Sequence, residues 1–251
     1  MSDKTQAAEL YGIIGRPLGH SFSRRFFTDK FAAEGADAEY VNFELPSIDL
    51  FPTVIKDNPR LRGLNVTLPY KTAVIPYLHE ISDAAREIGA VNVIRVRDGH
   101  LKGFNSDVIG FTGSIRPLLK PVHTRALILG TGGASRAVRT ALTRLGIQWT
   151  YVSRTPQPGM LTYRQLTPEV MDSCKVIVNC SPVGMFPHVD ECPDIPYGLL
   201  TPDHLLFDLV YNPDRTLFMQ RGEEHGATVK NGLEMLRLQA IASWEFWKSE
   251  D

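Results

Sequence analysis

Cysteine is scarce in this chain, with three in 251 residues: Cys174, Cys180 and Cys192. An odd number without framework spacing excludes a disulfide-stapled scaffold, and no CxxC pair suggests a structural metal, so no metal site is expected. Long hydrophobic runs are missing as well. No stretch approaches the ~20 apolar residues that span a bilayer, and 1–9 is polar where a secretory leader would be apolar. Excess charge of either sign is also missing. Twenty-seven Lys and Arg stand against 28 Asp and Glu, a formal net charge of −1, so no global field draws in nucleic acid or an anionic membrane. What is present is ordinary for a globular protein, with 43% hydrophobic and 22% charged residues. The length allows one large domain or two small ones. A reducing cytoplasm is the expected setting.

The apolar pattern alternates between strand-like and helix-like segments. Residues 10–14, 40–45 and 64–68 predict strands, with helices over 23–34 and 49–57. Ser82 is placed to cap a helix running through Arg86. Residues 91–96 and 100–104 flank Asp98-Gly99, a hairpin signal that makes the first sheet mixed. A helix over 107–119 leaves this first part. Strands at 126–129, 150–152, 176–178, 205–210 and 228–229 then form a doubly wound pattern with a helix over 137–145. Prolines at 156, 158 and 168 leave little room for a helix before Pro168, so that side of the sheet is expected to be thinly covered. Residues 182–203 read as a Pro-rich surface loop. An amphipathic helix over 233–247 closes the chain. The expected architecture is α/β in two domains: 1–106 plus 232–251 with a mixed sheet, and 107–231 with a doubly wound, Rossmann-like sheet.

The segment Gly130-Thr131-Gly132-Gly133-Ala134-Ser135-Arg136 lies between a predicted strand and a predicted helix. Glycines there let backbone N–H groups approach a pyrophosphate, and the helix N-terminus adds partial positive charge. Ser135 stands where Gly or Ala is usual. Taken alone, the turn is also compatible with an ordinary tight bend. About 20 residues beyond the glycines, an acidic residue would select the free ribose hydroxyl of NAD. Here the sequence reads Ser153-Arg154-Thr155. Arg154 can pair with a 2′-phosphate and the two hydroxyls can donate to it, which favours NADP. Read alone, Arg154 is also a plain surface charge.

Polar residues gather where strands end in the first half. Ser21 and Ser23 lie two apart before a helix, where capping is their bland role. Asn65 and Thr67 share one face of a strand, and Lys71 follows. Asn92 begins another strand, and Asn105-Ser106-Asp107 ends the hairpin.

In this order the motifs resemble the shikimate dehydrogenase family, which includes shikimate/quinate dehydrogenases. The resemblance runs from Tyr11 to Trp247. It is carried by the segments 15–23, 65–71, 89–92, 105–107, 130–136, 179–185 (Asn-Cys-Ser-Pro-Val-Gly-Met) and 231–236 (Asn-Gly-Leu-Glu-Met-Leu) with Gln239. It implies reversible, NADP-dependent interconversion of 3-dehydroshikimate and shikimate in aromatic amino-acid (chorismate) biosynthesis. Lys71 and Asp107 would be the catalytic pair. Ser21, Ser23, Asn65, Thr67, Asn92, Tyr211 and Gln239 would bind substrate, the two serines holding its carboxylate. Gly130, Gly132, Gly133, Ala134, Ser153, Arg154, Thr155, Met185 and Gly232 would bind the cofactor, Met185 and Gly232 at its nicotinamide end. Members are monomers or homodimers, and no nucleic acid or membrane partner is implied.

The residue types suit that chemistry. A small polyhydroxylated ring with one carboxylate calls for short polar groups at fixed positions. A lysine can give a proton to a developing alkoxide and accept it in reverse. Two departures stand out. Arg24 follows the second hydroxyl of the Ser-x-Ser element, where the family often has Pro. The family's second arginine after Arg154 is absent, with Pro156 and Pro158 nearby. Arg136 is one residue that could compensate. Dual NAD/NADP use on quinate and shikimate is the enzymatic alternative. A non-catalytic dinucleotide-sensing module is the other, against which the presence of both Lys71 and Asp107 speaks.

Overall fold

The computed structural model describes residues 8–19, 22–155 and 157–250. The chain forms two compact units, Met1–Ser106 with Gln239–Asp251, and Asp107–Leu238. The return to the first unit falls inside the last helix rather than at residue 232.

The first unit is built on a six-stranded mixed sheet. Its strands are β1 (Glu9–Gly15), β2 (Ala38–Glu44), β3 (Leu61–Val66), β4 (Glu80–Ile81), β5 (Val93–Arg97) and β6 (His100–Phe104), in spatial order β2-β1-β3-β5-β6-β4. Strands β2, β1 and β3 run parallel, and β5 and β6 form the antiparallel hairpin. Asp98 and Gly99 at its tip take φ of 49° and 77°, as a two-residue turn matching strand twist requires. Helices α1 (Phe22–Glu34), α2 (Phe51–Asp57) and α3 (Asp83–Ile88) complete the unit with the end of α8 (Leu233–Lys248).

Strand alternation builds two cores. Tyr11, Ile13 and Val93 face an aromatic layer with Phe27, Phe31, Tyr40 and Trp247, while Leu10, Ile14 and Ile94 face Phe51, Val54 and Val74. Trp247 lies against Gly63, where any Cβ would collide with the indole, and its Nε1 donates to Ile94 O at 3.1 Å. This seat fixes the end of α8 on the sheet. Strand β3 begins and ends earlier than the expected 64–68. Its pairing with β1 and β5 stops at Val66, which leaves Thr67 to Pro69 as a turn.

The second unit is a five-stranded parallel sheet. Its strands are β7 (Arg125–Leu129), β8 (Gln148–Val152), β9 (Val176–Asn179), β10 (Leu205–Asp208) and β11 (Thr228–Lys230), in order β11-β10-β9-β7-β8. Helices α4 (Asp107–Ile115), α5 (Gly133–Arg144), α6 (Pro168–Ser173) and α7 (Leu217–Glu224) belong to it. Helix α4 is shorter than expected, because a tighter turn carrying Pro117 takes over at Arg116–Leu118. Helices α6 and α7 were not expected; Thr167 and Thr216 cap them through their side chains.

After β8 the chain makes one isolated parallel bridge, Val152 to Leu161, before the short α6. The Pro-rich 182–203 segment is the expected surface loop only in part, with 185–191 exposed and the later residues packed inward. Ile195, Tyr197 and Leu200 are buried against Leu206 and Phe218, and so cover a sheet face where a longer helix would otherwise pack.

Candidate active site

The first unit joins several of the expected substrate residues by hydrogen bonds. The Tyr40 hydroxyl donates to Asn65 Oδ1 at 2.8 Å. Asn65 Nδ2 donates to Ser243 Oγ at 2.8 Å, and Ser243 Oγ donates to the Gln239 carbonyl at 2.8 Å. The Ser23 hydroxyl also bonds the Tyr40 phenol, whose pKa is pushed well above its usual value by burial. Ser23, Asn65 and Gln239 therefore stand in one chain of contacts completed by Tyr40 and Ser243. Neither of those two was expected from sequence. Ser243 lies four residues past Gln239, one helical turn along α8, and that spacing is the signal that could have found it. Ser21 lies outside the described residues.

A second cluster locks the base of the hairpin. Ser106 N–H donates to Asn92 Oδ1 at 2.7 Å and Asn92 Nδ2 donates to Ser106 Oγ at 3.1 Å, both residues being buried. Asn105 Nδ2 donates to Ala90 O at 3.0 Å. Val91 N–H donates to the Lys71 carbonyl at 2.8 Å, so the lysine backbone is tied to the same strand end. Thr67 turns its methyl toward Gly15, where a Cβ would collide with it. That leaves the Thr67 hydroxyl on the other side of its Cβ. Asp107 follows Ser106 directly and opens α4, buried to 2% exposure.

The cofactor residues lie in the second unit. Gly130 adopts φ of +103°, a conformation that side chains other than glycine rarely take. Gly132 is the N-cap of α5 and supplies no side-chain cap. A Cβ at Gly132 or Gly133 would meet nothing within 4 Å, so these two glycines answer no packing demand within the protein. Open space in front of uncapped helical N–H groups is what a pyrophosphate needs. Ser135 is fully buried, and its hydroxyl donates to Gly132 O at 2.6 Å. The small residue in the sixth place thus adds a bond within the turn. Past β8, Ser153 Oγ accepts from Thr155 N–H at 3.2 Å, which shapes the loop. Arg154 and Thr155 are exposed, and Arg154 has no ion pair among the described residues. The donor set fits a phosphorylated dinucleotide.

At the far ends of β9 and β10 the loops converge on Asp208. Its carboxylate accepts from Asn179 Nδ2 at 2.9 Å, Val210 N–H at 3.0 Å and Thr216 Oγ1 at 2.7 Å. Burial pushes the carboxyl up to about 6 against these three donors, which favour the charged form. Met185 and Tyr211, on the two loops so joined, are 46% and 39% exposed. Gly232 accepts no Cβ because the Leu209 carbonyl lies against it. Its glycine therefore has a packing cause inside the protein.

Similarity to known proteins extends over the whole chain. The shikimate dehydrogenase substrate binding domain matches residues 13–94. The NADP(+) shikimate dehydrogenase of Desulforamulus reducens is 33% identical over 98% of this chain and 91% of its own length. The Thermus thermophilus shikimate 5-dehydrogenase, solved in complex with NADP(H) and shikimate, superposes with a TM-score of 0.85 at 30% identity, covering 96% of this chain and 93% of that one. The Listeria monocytogenes shikimate 5-dehydrogenase, solved with shikimate and NAD, gives a TM-score of 0.83 at 27% identity, covering 98% and 94%. Sequence likeness and shared architecture agree along both units, and the chain belongs to the shikimate dehydrogenase family.

Proposed function

We propose that this chain is an NADP-dependent shikimate dehydrogenase that interconverts 3-dehydroshikimate and shikimate. The observation that carries this reading is likeness along the entire chain to enzymes named for that reaction, with Lys71 and Asp107 both present. Reducing a ketone requires a hydride on carbon and a proton on the developing alkoxide oxygen. NADPH, when bound, supplies the hydride. The Lys71 ammonium delivers the proton to the oxygen and recovers it in the reverse direction. Asp107 orients that ammonium and accepts a hydrogen bond from the neighbouring substrate hydroxyl. Ser21 and Ser23 hold the carboxylate with help from Tyr211, and Thr67, Asn92 and Gln239 read the ring hydroxyls. Asn65 serves partly as a frame, since Tyr40 and Ser243 already occupy much of its amide.

Gly130, Gly132, Gly133 and Ala134 would hold the pyrophosphate with their backbone. Ser153, Arg154 and Thr155 would hold the 2′-phosphate. Met185 and Gly232 would border the nicotinamide. Among the described residues no helix is long and apolar enough to cross a membrane, and we place the enzyme in a reducing cytoplasm. The test is an absorbance assay of nicotinamide reduction with shikimate or quinate against NADP or NAD. Turnover is expected with shikimate and NADP above the other three combinations. No reduction in any of the four would sink the proposal and favour a sensing module. Equal turnover on both acids with both cofactors would favour the dual-specificity alternative.

A further inference from the structure

Asp208 is a fully buried carboxylate that no step of the proposed reaction uses. It sits on the last residue of β10, and its two oxygens receive donors from three separate segments. Oδ1 accepts from Asn179, at the end of β9, and from the backbone of Val210, in the loop after β10. Oδ2 accepts from Thr216, which also caps α7 by accepting from Met219 N–H at 3.4 Å. Each arm continues into a loop. Asn179 Oδ1 in turn accepts from Ser181 Oγ at 2.6 Å and Ser181 N–H at 3.1 Å, and its Nδ2 reaches Val183 O at 3.3 Å. Phe186 N–H donates to Asn212 O at 3.0 Å, and Gly232 N–H donates to Val210 O at 3.1 Å.

We propose that Asp208 is a positioning residue that holds the 179–185 loop, the 209–216 loop and the start of α7 in one arrangement, and so fixes Met185 and Tyr211 for the reaction. This rests on the roles proposed above for those two residues. A carboxylate suits the task because it is acceptor-only and has lone pairs for all three donors. Without it, three buried donors lose their partner together. The loops then move independently while the glycine turn and Arg154 still grip the rest of the cofactor. The effect therefore falls on turnover more than on cofactor affinity.

The inference separates Asp208→Ala from Asp208→Asn. An asparagine keeps Oδ1 for Asn179 and Val210, and the Thr216 hydroxyl can turn from donor to acceptor toward the new amide. Asp208→Ala is expected to lower kcat at least about tenfold with KM for NADPH within about threefold. Hydrogen exchange at the Ser181, Phe186 and Val210 amides should accelerate together in that variant, by about tenfold or more. Asp208→Asn should restore both readings to near wild type. Unchanged exchange in Asp208→Ala, or equal losses in the two variants, would overturn the proposal. If Asp208→Ala does not fold, Thr216→Val removes one arm alone. It should speed exchange at Met219 and Val210, and no change at either overturns the proposal equally. The exchange readings need no substrate, so they decide the point even if the wild-type chain fails to oxidise shikimate.

Discussion

The two units treat their polar groups in opposite ways. In the first, the expected substrate residues are tied to one another: Ser23, Tyr40, Asn65, Ser243 and the Gln239 backbone form one connected chain, and Asn92 is bound to Ser106. In the second, the expected phosphate-binding groups are left open: α5 starts without a side-chain cap, Gly132 and Gly133 face empty space, and Arg154 is exposed. The contrast follows from the ligands. A small ring must be told from its near isomers, which takes short side chains with few alternative rotamers, each held by a neighbour. A diphosphate offers charge and many acceptor oxygens, which backbone N–H groups and one guanidinium satisfy without such a frame. Substitutions in the two units should therefore fail in different ways.

The largest effect is expected at Lys71. Lys71→Ala should lower kcat by about 10³-fold, within the range for loss of a general acid, with KM for shikimate changed by no more than about threefold. Steady-state kinetics decide it. A kcat within a few-fold of wild type would remove the lysine from proton transfer and make the first unit a binding frame only.

Arg154→Ala comes next. Loss of charge-assisted bonds to a 2′-phosphate, about 1.5–3 kcal/mol, should raise KM for NADP about 10- to 100-fold and leave KM for NAD nearly unchanged. Parallel rises for both cofactors would place Arg154 elsewhere on the dinucleotide. The size of the gap also measures how far Arg136, likewise exposed, replaces the missing second arginine.

Gly132→Ala sharpens the contrast most directly. Its φ of −72° suits any residue, and the added methyl meets no atom of the protein. The melting temperature should stay at the wild-type value or rise slightly. KM for NADP should rise about tenfold, the equivalent of about 1.4 kcal/mol. A drop in melting temperature without a cofactor effect would mean the turn serves the fold alone. Ser243→Ala should do the reverse. It strips Asn65 Nδ2 of its 2.8 Å partner and leaves only the 3.4 Å contact to Asn92 O, at about 0.5–1.5 kcal/mol for one net hydrogen bond. Denaturant melts should show that loss, with KM for shikimate raised and KM for NADP unmoved.

Much of this contrast was readable in the sequence, though unevenly. The glycine turn, the Asp98-Gly99 hairpin and the alternating strands are local signals, and each formed near its expected place. Capping at Ser82 is equally local, with Ala85 N–H donating to it at 3.2 Å. Tyr40, Ser243 and Asp208 escaped notice because their significance lies in partners contributed by other strands and helices. Asn65 and Ser243 are 178 positions apart. The bounds of β3 were misjudged for the same reason, since pairing with β1 and β5, rather than its own apolar run, decides where it stops. Residues 182–203 looked like a surface loop throughout because proline predicts an absence of helix. Proline does not predict exposure, and the neighbouring Ile195, Tyr197 and Leu200 supply the apolar cover.

The smallest expected effect concerns pH and comes from two histidines and a buried carboxylate of the second unit. His123 Nδ1 accepts from Lys120 N–H at 2.9 Å, and its Nε2 lies 3.0 Å from Asp203 O. His204 repeats the arrangement, with Thr201 N–H on Nδ1 at 3.0 Å and Met171 O 3.0 Å from Nε2. A ring whose Nδ1 already accepts a backbone N–H carries its proton on Nε2 and is neutral. Charging it would set a second proton against that N–H. Burial lowers both pKa values, and Lys120 and Lys175 push in the same direction. The unfolded chain therefore binds protons that the folded unit refuses. The stabilising contribution is full above the ordinary histidine value near 6.5 and is lost as pH falls from there through the lowered folded values. Asp208 works with the opposite sign. Its raised pKa gives a contribution present at low pH and lost as pH rises through about 6. Urea melts of wild type, His204→Asn and Asp208→Asn between roughly pH 5 and 8 separate the two. Removing the histidine should reduce the loss of stability on acidification, and removing the carboxylate should deepen it. If His204→Asn leaves the acid limb unchanged, His204 is charged in the folded unit and the assignment of its proton to Nε2 alone is wrong.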